Sequence, residues 1–386
     1  MKKALIIDPR SVNGSTLFSF TSGYISGLKK YYDIDFVSQY NCDLNDEDIN
    51  HFKLFYKCAR KIKNKKLRRL AMGVSYNRTY DAICKMVKKN EYDFVEIEWT
   101  LLLPMDLRNI KAIKKRSKVI VRAHNILPHS TDKKYYKKYK KIYDCADLII
   151  VHGKKIKNEM CETFPEIDGN KIAVQLFGTH GVNDISYDAD KVSDSVRDKI
   201  EKSAKVFLCV GRIDDDKGFD RVAKIWLEND LGNNLLVIAG GYQGKTLLQD
   251  YEKRIENREN ILLLDGYVEN NLLNYLFASA DVVVLPYRNG SMSGVAFTAA
   301  QFSKTLVATD FGAMSEYLSE DCGWLCANDD ESLNSVIINI AENVSEEQLI
   351  EKGRTFGEYV ESTANWQNRV DKLYEEYLSK LSDGKR

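Results

Sequence analysis

Two short stretches combine residue types suited to holding a diphosphate. In the first, VGRIDDDKGFD, Arg212 and Lys217 share one loop that leaves an apolar run at Val210. Gly211 lets the chain turn with little side-chain bulk, and a helix is expected from about Gly218. Two cations beside a helix N-terminus, whose free amides carry partial positive charge, suit a pair of phosphates. The second stretch, RNGSMSGVAF (Arg288–Phe297), lies between DVVVLPY and TAAQFSKTLVATD. Ser291 and Ser293 supply hydroxyls, and Gly294 permits close backbone approach. The amides from Gly294 to Phe297 would point at an anion from a helix beginning near Val295. Plainer readings stand beside these: surface cations among Asp214, Asp215 and Asp216, and an ordinary helix cap by Ser293. No carboxylate occurs from Arg288 to Lys304.

The elements that must position these loops show in the hydropathy pattern. Short continuous apolar runs alternate with longer helical patterns. In the first half the expected strands are KALIID, DIDFVSQ, DFVEIEW, KVIVRAH, DLIIVHG and KIAVQLFG, with a helix such as RTYDAICKMVKK (Arg78–Lys89) between them. A polar stretch, THGVNDISYDADKVSDS, follows, and the rhythm restarts with KVFLCVG, NLLVIAGG, NILLLDGYV, DVVVLPY and TLVATDFG. Apolar strands separated by helices imply parallel sheets covered on both faces. Two such sets imply two doubly wound domains with ligands at the carboxyl ends of the strands. The boundary falls near residues 179–200. A last amphipathic helix, Asn365–Leu381, carries Trp366, Val370, Leu373, Tyr374 and Tyr377 near one face.

Length agrees, since 386 residues exceed what one core normally supports. No apolar run reaches the ~18 residues of a membrane-spanning helix. ALII at the N-terminus is too brief for a signal-peptide core and reads as a buried strand. Eight cysteines are scattered; Cys322 and Cys326 form the one close pair and lack a second pair for zinc. Free thiols in the cytoplasm are expected. The net charge of +1 hides an asymmetry: about +14 over residues 1–185 and about −13 over 186–386. KCARKIKNKKLRRL (Lys57–Leu70) and KKYYKKYKKIY (Lys133–Tyr143) carry much of the excess. Their mixture of cations with aliphatic and aromatic residues suits an anionic membrane surface, or else two solvated helices. Nucleic acid is not indicated, because half the chain is acidic and no nucleic-acid motif is found.

The succession VGRIDDDKG, VIAGG, LDGYVENN, RNGSMSGVAFTAAQFSKTLVATDFGAMSEYL and GWLCANDDESL resembles the glycosyltransferases of the GT-B fold, family 4 type. The likeness is sharp over about residues 205–345. In the first half RAHNILPHS and ADLIIVHG match that family more loosely. The resemblance implies an α/β protein of two Rossmann-like domains facing a cleft. Residues 1–182 would bind the acceptor, completed by the C-terminal helix 365–386 crossing back, and 190–364 the nucleotide-sugar donor. It implies that Arg212 and Lys217 grip the donor diphosphate and, with His124 facing the donor sugar, form the catalytic set. Around the donor it places Gly14, Asn125, Gly211 and Gly241, with Tyr267 and Val268 holding the base through backbone groups. Ser291, Ser293, Gly294 and Val295 make the second phosphate turn.

This chain departs from the family at one place. Many members carry two glutamates eight positions apart where Gly290 and Thr298 stand here. The SGV turn would keep its phosphate-binding amides, and Thr298 would hydrogen-bond a ribose hydroxyl. The implied function is transfer of a sugar from a UDP- or GDP-sugar to a saccharide acceptor, lipid-linked, in bacterial capsule or O-antigen synthesis. Retention of configuration, no cofactor beyond the co-substrate and no metal are expected. The expected location is cytoplasmic, peripheral on the inner face of the membrane through the basic first half. The alternatives are a non-catalytic partner subunit, or transfer to a soluble or protein acceptor. A sugar epimerase would need a carboxylate pair, which the RNGSMSGVAF segment lacks, and a dinucleotide oxidoreductase would need a GxGxxG after its first strand, which DPRSVNGST does not supply. His129, His152 and Glu316 stay open between structural and site roles, as do Tyr287 and Arg288. Glu96 and Glu98 share one face of a strand that could equally be an edge.

Overall fold

The computed structural model describes residues 2–13, 16–57, 59–127, 133–179 and 185–382. The chain forms two compact units, Met1–Gly181 with Ala364–Arg386, and Val182–Thr363. Unit 1 is built on seven parallel strands: β1 (Lys2–Ile7), β2 (Tyr32–Gln39), β3 (Ile49–Phe55), β4 (Phe94–Ile97), β5 (Lys118–Arg122), β6 (Leu148–Val151) and β7 (Ile172–Val174). Their spatial order is β3-β2-β1-β4-β5-β6-β7. Unit 2 has six parallel strands: β8 (Val206–Val210), β9 (Leu235–Gly240), β10 (Ile261–Asp265), β11 (Val282–Leu285), β12 (Thr305–Thr309) and β13 (Gly323–Cys326). Their order is β10-β9-β8-β11-β12-β13. Both are doubly wound sheets of the expected class. Each has one point where the winding reverses, between β1 and β4 and between β8 and β11, and there the loops after the strands part to leave a crevice.

Two edge strands escape the apolar pattern. β3, INHFKLF, buries only its two end residues and leaves the five between partly or fully exposed, as an edge strand paired only with β2 can. β13 is four residues long and pairs only with β12. The helix expected at Arg78 begins instead at Lys65, where Asn64 caps the amides of Lys66 and Leu67.

The C-terminal segment packs back onto unit 1. Trp366, Val370, Leu373 and Leu378 join the core formed with Phe20, Tyr24, Ile25 and the strands. The helix Thr16–Leu28 receives them at two glycines one turn apart. A Cβ on Gly23 would lie 2.1 Å from the Trp366 ring, and one on Gly27 would lie 2.8 Å from Val370 Cγ2. The segment is not one continuous α-helix. Trp366–Leu373 is α-helical and Tyr374–Leu378 forms a π turn. That wider turn accompanies the stacking of Tyr374 on Tyr31, with centroids 3.7 Å apart.

Candidate functional site

In unit 2 the two phosphate-type turns leave neighbouring strands, β8 and β11, at the reversal of winding. After Gly211 the chain passes through a 3-10 turn, Asp215–Lys217, closed by Asp214, which accepts the Lys217 amide at 3.1 Å. Gly218 then takes φ = +66°, and a Cβ there would stand 2.1 Å from the Pro286 carbonyl oxygen. Only glycine allows this approach, so the cation loop presses directly against the start of the second turn. Arg288 fastens the two from the other side. Its guanidinium donates to both Asp220 oxygens at 2.7 Å, and its amide donates to the Asp216 carbonyl at 2.8 Å. Arg288 therefore closes the turn.

Lys217 lies in the middle of this joint. Its ammonium sits 3.6 Å from the centre of the buried Tyr287 ring. The Tyr287 hydroxyl is 3.0 Å from Ser293 Oγ. An attractive cation–π contact thus links the cation loop to the residue that starts the helix Gly294–Gln301. Ser293 makes no side-chain cap bond to that helix. Ser293 stands at the N-cap position, but its hydroxyl faces Tyr287 instead of a helix amide, and the first turn contains no acidic residue. Gly294 is exposed, and Val295 and Thr298 are half-buried. Thr298 donates its hydroxyl hydrogen to the Gly294 carbonyl at 3.3 Å, which leaves its oxygen lone pairs available. Burial pushes Lys217 down to about 8, against the pull of Asp214. Arg212 is more exposed, and its Nε pairs with Asp214.

The rest of the carboxyl edge continues towards β10. The carbonyl of Gly241, after β9, accepts the Ile213 amide at 3.0 Å, and the Gly266 amide donates to Gly240 at 3.0 Å. Tyr267 projects 87% exposed, with Val268 half-buried beside it. Hence Tyr267, Val268, Gly241, Gly211, Arg212 and Lys217 lie in sequence along one sheet edge, and the Ser291–Thr298 turn follows. At Gly290, the position of the absent acid, a Cβ would make ordinary contact with the Phe311 ring, 3.4 Å away.

In unit 1 the reversal between β1 and β4 holds a second polar group. Glu96 and Glu98 are fully buried on β4 and just beyond it, with β1 and β5 on either side, so the edge-strand reading is corrected. Both carboxylates grip Arg122 at the end of β5: Glu96 Oε1 is 2.6 Å from Nη2 and Glu98 Oε1 is 3.0 Å from Nε. Burial works against the Arg122 charge, but the two acids outweigh it and hold it protonated. Burial also pushes Glu96 up to about 7, with Arg122 opposing. Asp8, at the end of β1, is raised to about 7 by burial and by Glu98, although Thr21 and two amides bind it.

His124 follows β5, with Nε2 3.0 Å from Glu98 and Nδ1 3.1 Å from His152 Nε2. Its ring stacks on Trp99 at 4.1 Å, and Arg10 lies 4.1 Å from the Trp99 ring centre. Both imidazole nitrogens are engaged within the protein, and burial holds His124 and His152 neutral. Glu98, Trp99, His124, Asn125 and Tyr139 line a cavity of about 230 Å³. Gly14 and His129 lie outside the described residues. Asp8, Arg10 and Arg122 escaped the sequence reading. The signal was present in part: an arginine inside VIVRAH beside a strand with two acids on one face needs internal partners. Among the described residues no cluster of His, Cys, Asp and Glu could hold a metal.

The two doubly wound sheets are those of the GT-B fold. Residues 204–343, all within unit 2, match the family described as Glycosyl transferases group 1. Among curated proteins the chain is 27% identical over 207 residues to an uncharacterized glycosyltransferase, MJ1607, of Methanocaldococcus jannaschii, and the match spans half of each chain. It is 24% identical over 267 residues to an uncharacterized 41.2 kDa protein in the cps region of Klebsiella pneumoniae, covering 66% of this chain and 70% of that one. Two solved structures share the fold across nearly the whole chain. Sucrose-phosphate synthase from Thermosynechococcus elongatus superposes with a TM-score of 0.72 at 15% identity, covering 100% of both chains. Anabaena HepE, in complex with UDP-glucose, gives 0.70 at 14%, covering 98% and 100%.

Proposed function

We propose that the protein transfers a sugar from a nucleotide-sugar, UDP- or GDP-linked, to a saccharide acceptor. The Lys217–Tyr287–Ser293 joint carries this reading, because it brings a cation and an uncapped helix start to the same point of one sheet edge. HepE bound to UDP and to UDP-glucose supports a uridine donor. In this reading Tyr267 and Val268 meet the base, Gly211 and Gly241 admit the ribose and phosphates, and Arg212, Lys217 and the amides after Ser293 hold the diphosphate. The bond from the anomeric carbon to phosphate oxygen breaks as the acceptor oxygen bonds to that carbon, and the departing phosphate takes the acceptor proton. Charge grows on the diphosphate, where fixed positive groups lower the barrier. The scheme calls for no metal and retains configuration. It assigns the donor to unit 2 and the acceptor to unit 1, in the cavity beside His124. A panel of UDP-, GDP-, dTDP- and CMP-sugars, scored by slow donor hydrolysis and thermal shift, tests it. Response to one base family is expected; silence towards every nucleoside diphosphate contradicts it. Stabilisation without any turnover would favour the non-catalytic partner reading, which Gly290 and Thr298 in place of carboxylates support.

The acceptor is proposed to be lipid-linked, in surface-polysaccharide synthesis, and the protein to work peripherally on the cytoplasmic face of the membrane. The cps-region relative supports the pathway. Among the described residues no helix is long and apolar enough to cross a membrane. The helix Lys65–Lys89 supports surface docking: Leu67, Leu70 and Val74 are 58%, 69% and 48% exposed, among Lys65, Lys66, Arg68 and Arg69. Apolar insertion flanked by cations is how a helix lies on an anionic bilayer. We expect sedimentation with phosphatidylglycerol vesicles but not with phosphatidylcholine vesicles. Leu70→Glu should reduce that binding by roughly tenfold or more, given about 1.5–3 kcal/mol for burying a leucine. No sedimentation with phosphatidylglycerol vesicles contradicts membrane docking and leaves the donor assignment standing.

A further inference from the structure

Three contacts of a buried chain in unit 1 bear on the number of protons it holds. Glu98 Oε2 meets His124 Nε2 at 3.0 Å, His124 Nδ1 meets His152 Nε2 at 3.1 Å, and His152 Nδ1 meets the Gln175 carbonyl oxygen at 3.4 Å. A carbonyl oxygen only accepts, so His152 Nδ1 carries a hydrogen. Each of the other two contacts also needs one hydrogen, which makes three. One carboxylate and two neutral imidazoles supply two. The third can rest on Glu98 or on either ring, with the others shifting along the chain, and in each arrangement the trio has no net charge.

We propose that Glu98, His124 and His152 hold one proton in common, and that Glu98 and His152 are positioning residues that lock the His124 ring through it. Burial supports a neutral trio from both ends, raising Glu98 and lowering both histidines. The surrounding charges come from every packed element. Arg122 of β5 sits against Glu98 and Glu96 of the β4 segment, Tyr24 of the first helix donates to Glu96 at 2.7 Å, and Asp8 and Arg10 follow β1. Arg122 balances the charge of one of the two carboxylates it grips, Glu96 or Glu98, and the proton held by the trio balances the other. This inference does not depend on the transfer reaction.

Counting protons released when the protein is unfolded near pH 8, where free Glu and His are deprotonated, tests the proposal. Wild type should release about one proton more than Glu98→Gln. In that variant the new side-chain oxygen can accept from Arg122 and the new amide can donate to His124, so it should fold and melt close to wild type. Glu96→Gln should keep the extra proton, and His152→Leu should lose it. Equal release from wild type and Glu98→Gln overturns the proposal, as does a Glu98→Gln variant that fails to fold. Loss of the proton in Glu96→Gln, or its survival in His152→Leu, would place it between the two carboxyls and overturns the proposal equally.

Discussion

Lys217→Ala should lower kcat/KM for the nucleotide-sugar by about 10²–10³, the loss typical of one donor aimed at developing negative charge. The ammonium is held over Tyr287 in a half-buried loop, so alanine removes a charge that water replaces poorly. The fold should survive, because the Gly218–Pro286 contact and the Arg288–Asp220 pair still join the turns. The pH profile carries a second signature. With Lys217 near 8 in the free protein, a bound diphosphate raises its proton affinity. The bound state then holds more protons, so affinity for a nucleoside diphosphate falls as pH rises through about 8, and Lys217→Ala abolishes this limb. Steady-state kinetics and titrations across that range measure both effects. A variant within about threefold of wild type, with the same profile, would remove Lys217 from the chemistry.

Trp366→Ala should have the largest effect on stability. The indole is 5% exposed, lies over Gly23 and Gly178, and meets Phe20 edge-on at 4.9 Å. Removing a buried tryptophan costs about 3–5 kcal/mol through lost transfer energy and the remaining cavity. For a unit of this size each kcal/mol moves the midpoint by about 2–4 °C, so calorimetry should show a fall of roughly 6–20 °C. That fall belongs to the transition of unit 1, and the transition of unit 2 should stay in place. A shift below about 2 °C would mean that the C-terminal segment contributes little to the core.

The donor edge of unit 2 was legible because Arg212, Lys217 and Ser293 follow directly on long apolar runs, and parallel sheets put such loops together. Tyr287 was not: nothing in VVVLPY says that its ring will lie under a lysine from another loop. Glu96, Glu98 and Arg122 were harder for a related reason. Charges in a strand suggest an edge, and only the strand order shows that β4 is central and that β5 brings its arginine alongside. β3 and β13 were hidden because an edge strand needs little apolar surface. The start of the Lys65 helix was hidden by a run of cations whose only helix signal was Asn64. The glycines at 23 and 27 gave no sign of their role, since the tryptophan and valine they admit lie more than three hundred residues away.

The pairing of the cation loop with the helix start at Gly294 is measured most directly by calorimetric titration of wild type and Arg212→Ala with UDP, GDP and the matching nucleosides. Wild type should bind one diphosphate far more tightly than its nucleoside, and the arginine variant should lose most of that difference while keeping its nucleoside affinity. Equal losses for both ligands would show that these residues hold no pyrophosphate.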